Sequence, residues 1–321
     1  MANEPDFFVH EEGGVHSVLC GQSEIFCGSE LVGVGFSRSS DLRSAQEEAA
    51  LISSIEIAER RIVQRNKPLD SHGRGSTARR SFSNGVAAAL TAESARKRAR
   101  FELIERHRVL WAWYSGIPPR KLNDAYVAVG LPQSSEWTWS AYDFGQGVSG
   151  VFGFPTSAST RRVPVFGFAC DETTERSVVR AKKEAFQRWM MLNDLNLEPL
   201  PSKVLPTPDF QQDLFLTREG LRLIFDWLNG NATWSFDKTI KEFFSHKIQN
   251  GFEYQFLGSE KLEKNFRIEV WRAEHQRAIP LIFGYDHESP FFKKLISECP
   301  TIPGLNTVGQ LLSVGLLHPI G

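Results

Sequence analysis

The stretch Ser81-Phe-Ser-Asn-Gly-Val-Ala-Ala-Ala-Leu90 runs on through Thr91 to Phe101-Glu-Leu-Ile-Glu-Arg106, and its pattern indicates how the chain folds. A run of small and apolar residues is followed by a polar turn and then by a long charged segment. The apolar residues of that segment recur at helical spacing. Thr91 can cap the first turn with its hydroxyl oxygen, and Gly116 can end the helix. The pattern therefore predicts a strand, a loop and a helix.

The same unit occurs twice more in the chain. Glu30-Leu-Val-Gly-Val-Gly-Phe-Ser37 precedes a segment over 41–65, and Arg162-Val-Pro-Val-Phe-Gly-Phe-Ala-Cys-Asp171 precedes one over 173–193. Ser40 or Asp41 is predicted to cap the first of these helices, and Asp171, Thr173 or Thr174 the last. The chain is thus predicted to contain an internal repeat of strand-loop-helix units.

Each predicted helix carries a similar acidic pattern. The residues are Glu56, Glu59 and Arg60; Glu102, Glu105 and Arg106; and Glu184, Gln187 and Arg188. Two glutamates three residues apart share one helical face, where their repulsion requires a positive partner. The arginine can supply one such charge, and a divalent cation such as Mg2+ is the other natural partner. Such strings also occur on solvent-facing helices with weak ion pairs, so the residues alone leave both interpretations open.

Polar and basic residues precede the central helix. Ser83-Asn-Gly85 is predicted to follow a short strand and precede this helix, where converging backbone amides favour an anion. The upstream segment 71–80 contains Arg74, Arg79 and Arg80. It is predicted either as a flexible basic loop or as a loop that closes over a triphosphate. The chain contains neither a Walker A motif nor a dinucleotide fingerprint.

Composition narrows the class of protein. The 321 residues include 37 Lys and Arg against 38 Asp and Glu, a net charge of −1 that argues against a general nucleic-acid coat. No uncharged apolar run approaches the roughly 18 residues of a membrane span, and the acidic N-terminus lacks signal-peptide features. The four cysteines form no Cys-x-x-Cys pair. We therefore expect a cytoplasmic protein with reduced thiols that binds neither nucleic acid nor membrane.

Taken in order, these segments resemble the YcaO family. The resemblance rests on residues 33–60, on the quoted stretch 81–107 and on residues 167–187. It implies an α+β fold, in which repeated strand-loop-helix units form mixed or antiparallel sheets packed against helices. Residues 1–195 are then expected to be the ATP-binding core, and residues 196–321 a C-terminal α+β part of the same domain.

The resemblance also implies an activity. We expect an ATP- and Mg2+-dependent enzyme that activates peptide backbone amides during maturation of a ribosomally made peptide, such as a bacteriocin. The expected reaction is cyclodehydration of Cys, Ser or Thr to a thiazoline or oxazoline, with phosphorylation of the amide oxygen. The expected partners are the precursor peptide, a separate ThiF-like (E1-like) protein that binds its leader, a flavin dehydrogenase and a second copy in a homodimer.

Site residues follow from the resemblance by position in the motifs. It assigns Mg2+ to five glutamates, namely Glu56, Glu59, Glu102, Glu105 and Glu184. It assigns ATP to Ser83, Asn84, Arg79 and Arg80, and catalysis to Arg106 and Gln187.

Departures from the family pattern leave two alternatives open. Ala89 stands where a Gly is usual, Leu90 where a polar residue is common, and Ser94 where a second Glu is common. These three residues favour a degenerate, non-catalytic scaffold subunit of a synthetase complex. The sequence ends Leu316-Leu-His-Pro-Ile-Gly321 without the alternating prolines of azoline-forming relatives, which favours a thioamide-forming enzyme.

Overall fold

A computed structural model describes residues 5–66, 84–128, 131, 136–156, 163–192, 197, 199–201, 214–262, 266–281, 290–298 and 315–319. The strands are β1 (Asp6–Glu12), β2 (Val15–Phe26), β3 (Ser29–Ser39), β4 (Val86–Ala89), β5 (Arg120–Lys121), β6 (Trp137–Gly145), β7 (Val148–Pro155), β8 (Val165–Cys170), β9 (Glu253–Lys261) and β10 (Arg267–Glu274). The α-helices are α1 (Leu42–Arg65), α2 (Ala92–Ser115), α3 (Thr174–Leu192), α4 (Arg218–Leu228), α5 (Asp237–Phe243) and α6 (Pro290–Glu298). A short 3-10 helix covers Asp124–Tyr126.

The strands form three sheets with the orders β1-β2-β3, β4-β10-β9 and β5-β6-β7-β8. Every strand pair described is antiparallel. The α+β class with repeated strand-loop-helix units is confirmed, because β3 leads into α1, β4 into α2 and β8 into α3.

The chain divides into two compact units. The first comprises the described residues of Met1–Thr77, Gly85–Glu102 and Phe252–Glu274. The second comprises those of Ala78–Asn84, Leu103–Gly251 and His275–Gly321. The C-terminal strands β9 and β10 thus return to β4 in the first unit. The sequence predicted a different division, between residues 195 and 196, that separates two parts of one domain. This division stays a prediction.

In the first unit, α1 packs against both sheets. Val18 and Cys20 of β2 form one buried cluster with Ala45 and Ala49 of α1. On the other sheet, Ile268 and Val270 of β10 are completely buried. Burial of these apolar side chains is the main force that fixes the helix between the sheets.

In the second unit, α3 covers β7 and β8, and the C-terminal half of α2 carries an aromatic core. Trp113 has its ring centroid 5.1 Å from that of Trp227 and 4.7 Å from that of Trp234. Its indole N–H donates to Gly315 O at 3.0 Å, and the indole N–H of Trp234 donates to Trp113 O at 2.7 Å. The indole nitrogens are therefore satisfied inside an apolar core, as buried tryptophans require.

The predicted helix starts are confirmed. The Asp41 carboxylate accepts from Ser44 N at 2.7 Å, the Thr91 hydroxyl from Ser94 N at 3.2 Å, and the Thr173 hydroxyl from Arg176 N at 3.3 Å. The α2 helix ends at Ser115, before Gly116 with its φ of +66°. None of the helices in the described part of the chain is long and apolar enough to span a bilayer.

One local expectation is wrong. Asn84 and Gly85 form a turn that leads into β4, so a strand and not a helix comes next. Gly85 has a φ of +67°, a left-handed conformation that suits the turn. The amides of Asn84 and Gly85 are therefore not the N-terminal amides of α2, and an anion at a helix N-terminus is not expected at these two residues.

Candidate functional site

The first acidic pair begins with Glu56, which bonds to the backbone of the neighbouring strand. Val34 N of β3 donates to Glu56 Oε2 at 2.6 Å, and Arg60 Nη2 donates to Glu56 Oε1 at 2.7 Å. The helix comes this close because Gly33 lies beneath it. A Cβ on Gly33 would collide with Ser53 O and the side chain of Ile57. A strand glycine thus brings the helical carboxylate within reach of a strand amide.

The second unit repeats this arrangement at Glu184. Phe168 N of β8 donates to Glu184 Oε2 at 3.0 Å, and Arg188 Nη2 donates to Glu184 Oε1 at 3.3 Å. A Cβ on Gly167 would lie 2.5 Å from both Ala181 O and Ala185 N. We call this arrangement of strand glycine, helical glutamate and following arginine the Gly-Glu-Arg joint. Among the described residues it occurs once in each unit, with the same spacing along helix and strand.

Glu59 binds a different strand. Ala88 N of β4 donates to Glu59 Oε2 at 2.7 Å, and Arg98 Nη1 donates to the carbonyl of the same alanine at 3.3 Å. Burial raises the pKa of Glu59 to about 7, with a smaller contribution from the negative charge of Glu56. The Ala88 amide and the charges of Arg60 and Arg98 act in the opposite direction without cancelling the shift. Glu59 is therefore a carboxyl whose negative charge is incompletely compensated.

Glu105 has the same property in the second unit. Burial raises its pKa to about 7, and the neighbouring charge of Glu184 contributes in the same direction. Arg106, Arg180 and the backbone amide of Cys170 favour the ionised form. Each unit therefore contains one carboxyl with a strongly raised pKa beside a second carboxylate. Perturbed groups of this kind cluster at functional sites.

Three further predicted residues lie on α2 and α3. Glu102, Arg106 and Gln187 are each half-buried. Glu102 lies one turn before Glu105 on the continuous helix α2, which confirms the spacing of the motif. On α3, Gln187 occupies the position that Glu59 occupies on α1, three residues after the glutamate of the joint.

The predicted ATP-binding residues are only partly described. Ser83, Arg79 and Arg80 lie outside the described residues, so their assignment stays a prediction. Asn84 is described, and its side-chain oxygen is buried without a hydrogen-bond partner among the described residues. An unsatisfied buried amide oxygen is costly, and such groups often mark a ligand contact.

Sequence reasoning missed Arg108, which lies one turn after Glu105. Its Nε and Nη2 donate to Phe144 O at 2.9 and 2.6 Å, and its Nη1 donates to His246 O at 2.6 Å. Burial lowers the pKa of Arg108 to about 10, which leaves it charged at neutral pH. It fixes the end of β6 with charge-assisted hydrogen bonds. The sequence signal was an arginine directly before the apolar run Val109–Tyr114.

The donor set suits Mg2+, a hard cation that prefers carboxylate oxygens. Within the described ranges, no three His, Cys, Asp or Glu side chains come together as a metal site. Mg2+ usually binds through one or two carboxylates and completes its coordination with water and substrate phosphates. A carboxylate has about four acceptor positions, so one amide bond leaves capacity for a cation. The two raised pKa values fit this use, because a bound cation favours the ionised form.

Comparison with protein families identifies the class. The family of YcaO cyclodehydratases, described as binding ATP and Mg2+, matches residues 62–258. This match covers more than half of the chain, and the chain belongs to the YcaO family. The predicted family and the predicted cofactors, ATP and Mg2+, are thereby confirmed at the level of the family. Comparison with curated proteins gives no significant match.

Solved structures support the fold. YcaO from Methanopyrus kandleri, bound with AMPPCP and Mg2+, is 15% identical with a TM-score of 0.53 and aligns over 89% of this chain and 90% of its own. The E. coli microcin synthetase McbBCD complex is 9% identical over 84% of this chain and 86% of its own, with a TM-score of 0.48. The heterocyclase TruD is 17% identical over 75% of this chain and 35% of its own, with a TM-score of 0.37. Of these three, the structure from Methanopyrus kandleri supports the fold.

Proposed function

We propose that this chain uses ATP and Mg2+ to activate backbone amides of a ribosomally made precursor peptide, and that the product is an azoline. A Cys, Ser or Thr side chain of the peptide adds to the preceding amide carbon. The amide oxygen takes the γ-phosphoryl group of ATP, which leaves ADP, and phosphate then departs with that oxygen. One peptide and one ATP thus give one azoline, ADP and phosphate.

The observation that carries this proposal is the pair of raised pKa values at Glu59 and Glu105. A carboxyl buried this way destabilises a protein that never receives a compensating charge. Both carboxyls lie on the family's motif, and both are oriented by backbone amides of a strand. A site that holds magnesium on a triphosphate needs oxygen donors of this kind, fixed before the ligand arrives.

The chain's own residues then have distinct roles. Glu59 in the first unit and Glu105 in the second would each hold Mg2+, which when bound supplies positive charge that neutralises the triphosphate. Arg60 and Arg188 pair with Glu56 and Glu184 and fix the orientation of these carboxylates. The side-chain oxygen of Asn84 would accept a hydrogen bond from a ligand donor. We propose Ser83, Arg79 and Arg80 as further contacts to ATP and Arg106 and Gln187 as catalytic residues. Further magnesium ligands are proposed at Glu56, Glu102 and Glu184.

The partners and the cellular location belong to the same proposal. A cytoplasmic synthetase would combine this chain with a ThiF-like protein that captures the precursor's leader. A flavin dehydrogenase would act after the azoline has formed, because its chemistry oxidises the ring. The chain is proposed to work as a homodimer within that assembly.

The test is peptide-dependent ATP hydrolysis by the chain together with its partner protein. Glu105→Gln and Glu102→Gln should each abolish phosphate release, because each removes a negative ligand while keeping the side-chain volume. Glu47→Gln on the exposed face of α1 is the matched control and should hydrolyse ATP like the wild type. Mass spectrometry should show that the peptide has lost one water for each azoline. Replacement of oxygen by sulfur would instead indicate a thioamide.

A scaffold subunit is the second candidate function, favoured by Ala89, Leu90 and Ser94 at positions where the family pattern differs. Calorimetry of ATP with and without Mg2+ separates the two candidates. Binding that requires Mg2+ and is lost in Glu105→Gln supports the enzyme. No binding by the wild-type chain, either alone or in the complex, supports the scaffold.

A further inference from the structure

The sheet β4-β10-β9 packs one face against α1, and its opposite face is exposed where β9 lies. On the inner side, Ile268 and Val270 are completely buried, and Gly258 lies close to Ile62 of α1. Arg61 of α1 also reaches this side, where its guanidinium pairs with Glu260. The inner face therefore belongs to the hydrophobic core of the unit.

The opposite face carries exposed aromatic side chains. Trp271 and Phe256 are cross-strand partners with ring centroids 5.3 Å apart. Phe256 is 49% exposed, and Tyr254, two residues earlier on the same face, is 39% exposed. Exposed neighbouring aromatics of this kind are typical of an interaction surface.

Positive charge lies on the same face of the sheet as these rings. The guanidinium of Arg96, from the first turns of α2, lies 5.1 Å from the Trp271 ring centroid. Arg267 and Lys261 are exposed cross-strand partners on the same face, and Arg267 donates to Ser259 Oγ. The carboxylate on this face, Glu269, accepts from the Trp271 indole N–H at 3.0 Å. Among the described residues of this face, three cations thus accompany one carboxylate, which is already hydrogen-bonded.

The sheet also has an edge suited to an added strand. Among the described strands the order β4-β10-β9 leaves β9 at the edge, and β9 is nine residues long. A long edge strand with exposed aromatics is an aggregation hazard unless a partner covers it. Proteins that bind extended peptides often add the peptide as a further strand at such an edge.

We propose that this surface, formed by β9, Trp271, Arg267 and Arg96, binds an extended acidic peptide segment as an additional strand beside β9. Backbone hydrogen bonds with β9 give affinity, the aromatic rings receive apolar side chains, and the three cations select acidic ones. The peptide is a segment of another polypeptide, and its binding requires neither ATP nor Mg2+. A chain that does not hydrolyse ATP could therefore still bind this peptide, so failure of one proposal is distinguishable from failure of the other.

The test uses a fluorescein-labelled peptide that repeats Glu-Val-Phe over the length of β9, with anisotropy as the readout. Arg96→Glu and Phe256→Ser should each weaken binding about tenfold, because one reverses a cation and the other removes an anchor ring. Arg43→Glu, the same charge change at an exposed position of α1, should leave the affinity within about twofold. The matching peptide with Lys in place of Glu should bind much more weakly.

Amide hydrogen exchange supplies the second measurement. Bound peptide should slow exchange in 253–261, since an added strand pairs with the edge amides. The proposal is overturned if the wild type does not bind the acidic peptide or if the Lys peptide binds equally well. Equal affinity of Arg96→Glu and the wild type overturns it too. Self-association that Phe256→Ser abolishes would show that a second copy of the chain covers this face instead.

Discussion

Replacing Glu59 by Gln should stabilise the protein at alkaline pH when Mg2+ and nucleotide are absent. Burial raises the pKa of Glu59 to about 7 in the folded chain, against 4.5 for an ordinary Glu. Between these two values the unfolded chain has released the proton and the folded chain still holds it. The free energy of unfolding therefore falls as the pH rises through this window.

The magnitude follows from the size of the shift. At about 1.4 kcal/mol per pH unit, ionisation of a fully buried carboxyl with this shift would lower the free energy of unfolding by about 3 kcal/mol. Because Glu59 keeps some contact with solvent, we expect about 2 kcal/mol. Gln carries no charge and still offers an oxygen to Ala88 N, so Glu59→Gln should lack this loss. The variant should be about 2 kcal/mol more stable than the wild type at about pH 8 and no more stable at about pH 4.

The assay is urea unfolding at several pH values between about 4 and 8 in the presence of EDTA. Glu47→Gln is the control, an exposed position of the same helix where the change should stay within about 0.5 kcal/mol at every pH. A Glu59→Gln protein whose stability changes with pH as the wild type's does would show that Glu59 is not the group that titrates in this window. So would a variant that is destabilised equally at both ends of the range.

Three further predictions concern a strand glycine, a buried arginine and the protons of the two buried carboxyls. Gly167→Ala should lower the free energy of unfolding, measured by thermal unfolding, by about 3 kcal/mol, because its Cβ would meet the backbone of α3. Gly21→Ala is the control, since its Cβ would face open space and should lower this free energy by less than about 1 kcal/mol. Equal losses in the two variants would contradict the close packing at Gly167. Arg108→Met should cost about 3 kcal/mol in urea unfolding, because it leaves buried carbonyls without donors; a loss below about 1 kcal/mol would contradict the role of Arg108. If the proposed function is right, binding of Mg2+-ATP near pH 7 should release protons from Glu59 and Glu105. In calorimetry, the binding enthalpy should then vary with the ionisation enthalpy of the buffer. Identical binding enthalpies in all buffers would count against carboxylate ligation.

Local features of the fold could be predicted from the sequence. At Asp41, Thr91 and Thr173, the capping side-chain oxygen accepts a hydrogen bond from a backbone amide three residues later. The strand-loop-helix repeat was readable because each helix follows its strand directly in the chain. These contacts are short in sequence, and composition and periodicity report on them well.

Contacts that are distant in sequence were not readable. The strand β4 pairs with β10, which follows it by more than 170 residues. Neither segment has a sequence feature that identifies the other as its partner. Sequence reasoning also sought the partners of the glutamates among arginines and cations, and it missed the strand amides. The glycines Gly33 and Gly167 were the available signal, since a glycine inside a strand often marks the close approach of another backbone.

The Gly-Glu-Arg joint has a consequence for how far such sequences can diverge. Its strand side is a peptide N–H that every residue except proline provides, so the residue after each glycine can be Val34 in one unit and Phe168 in the other. Within the joint, the glycine, the glutamate and the arginine need to keep their identity. Phe168 is in addition buried among aromatic rings, whereas Val34 is half-buried. A library that randomises Val34 should therefore keep folding with almost any occupant but proline, while one that randomises Gly33 should retain few members.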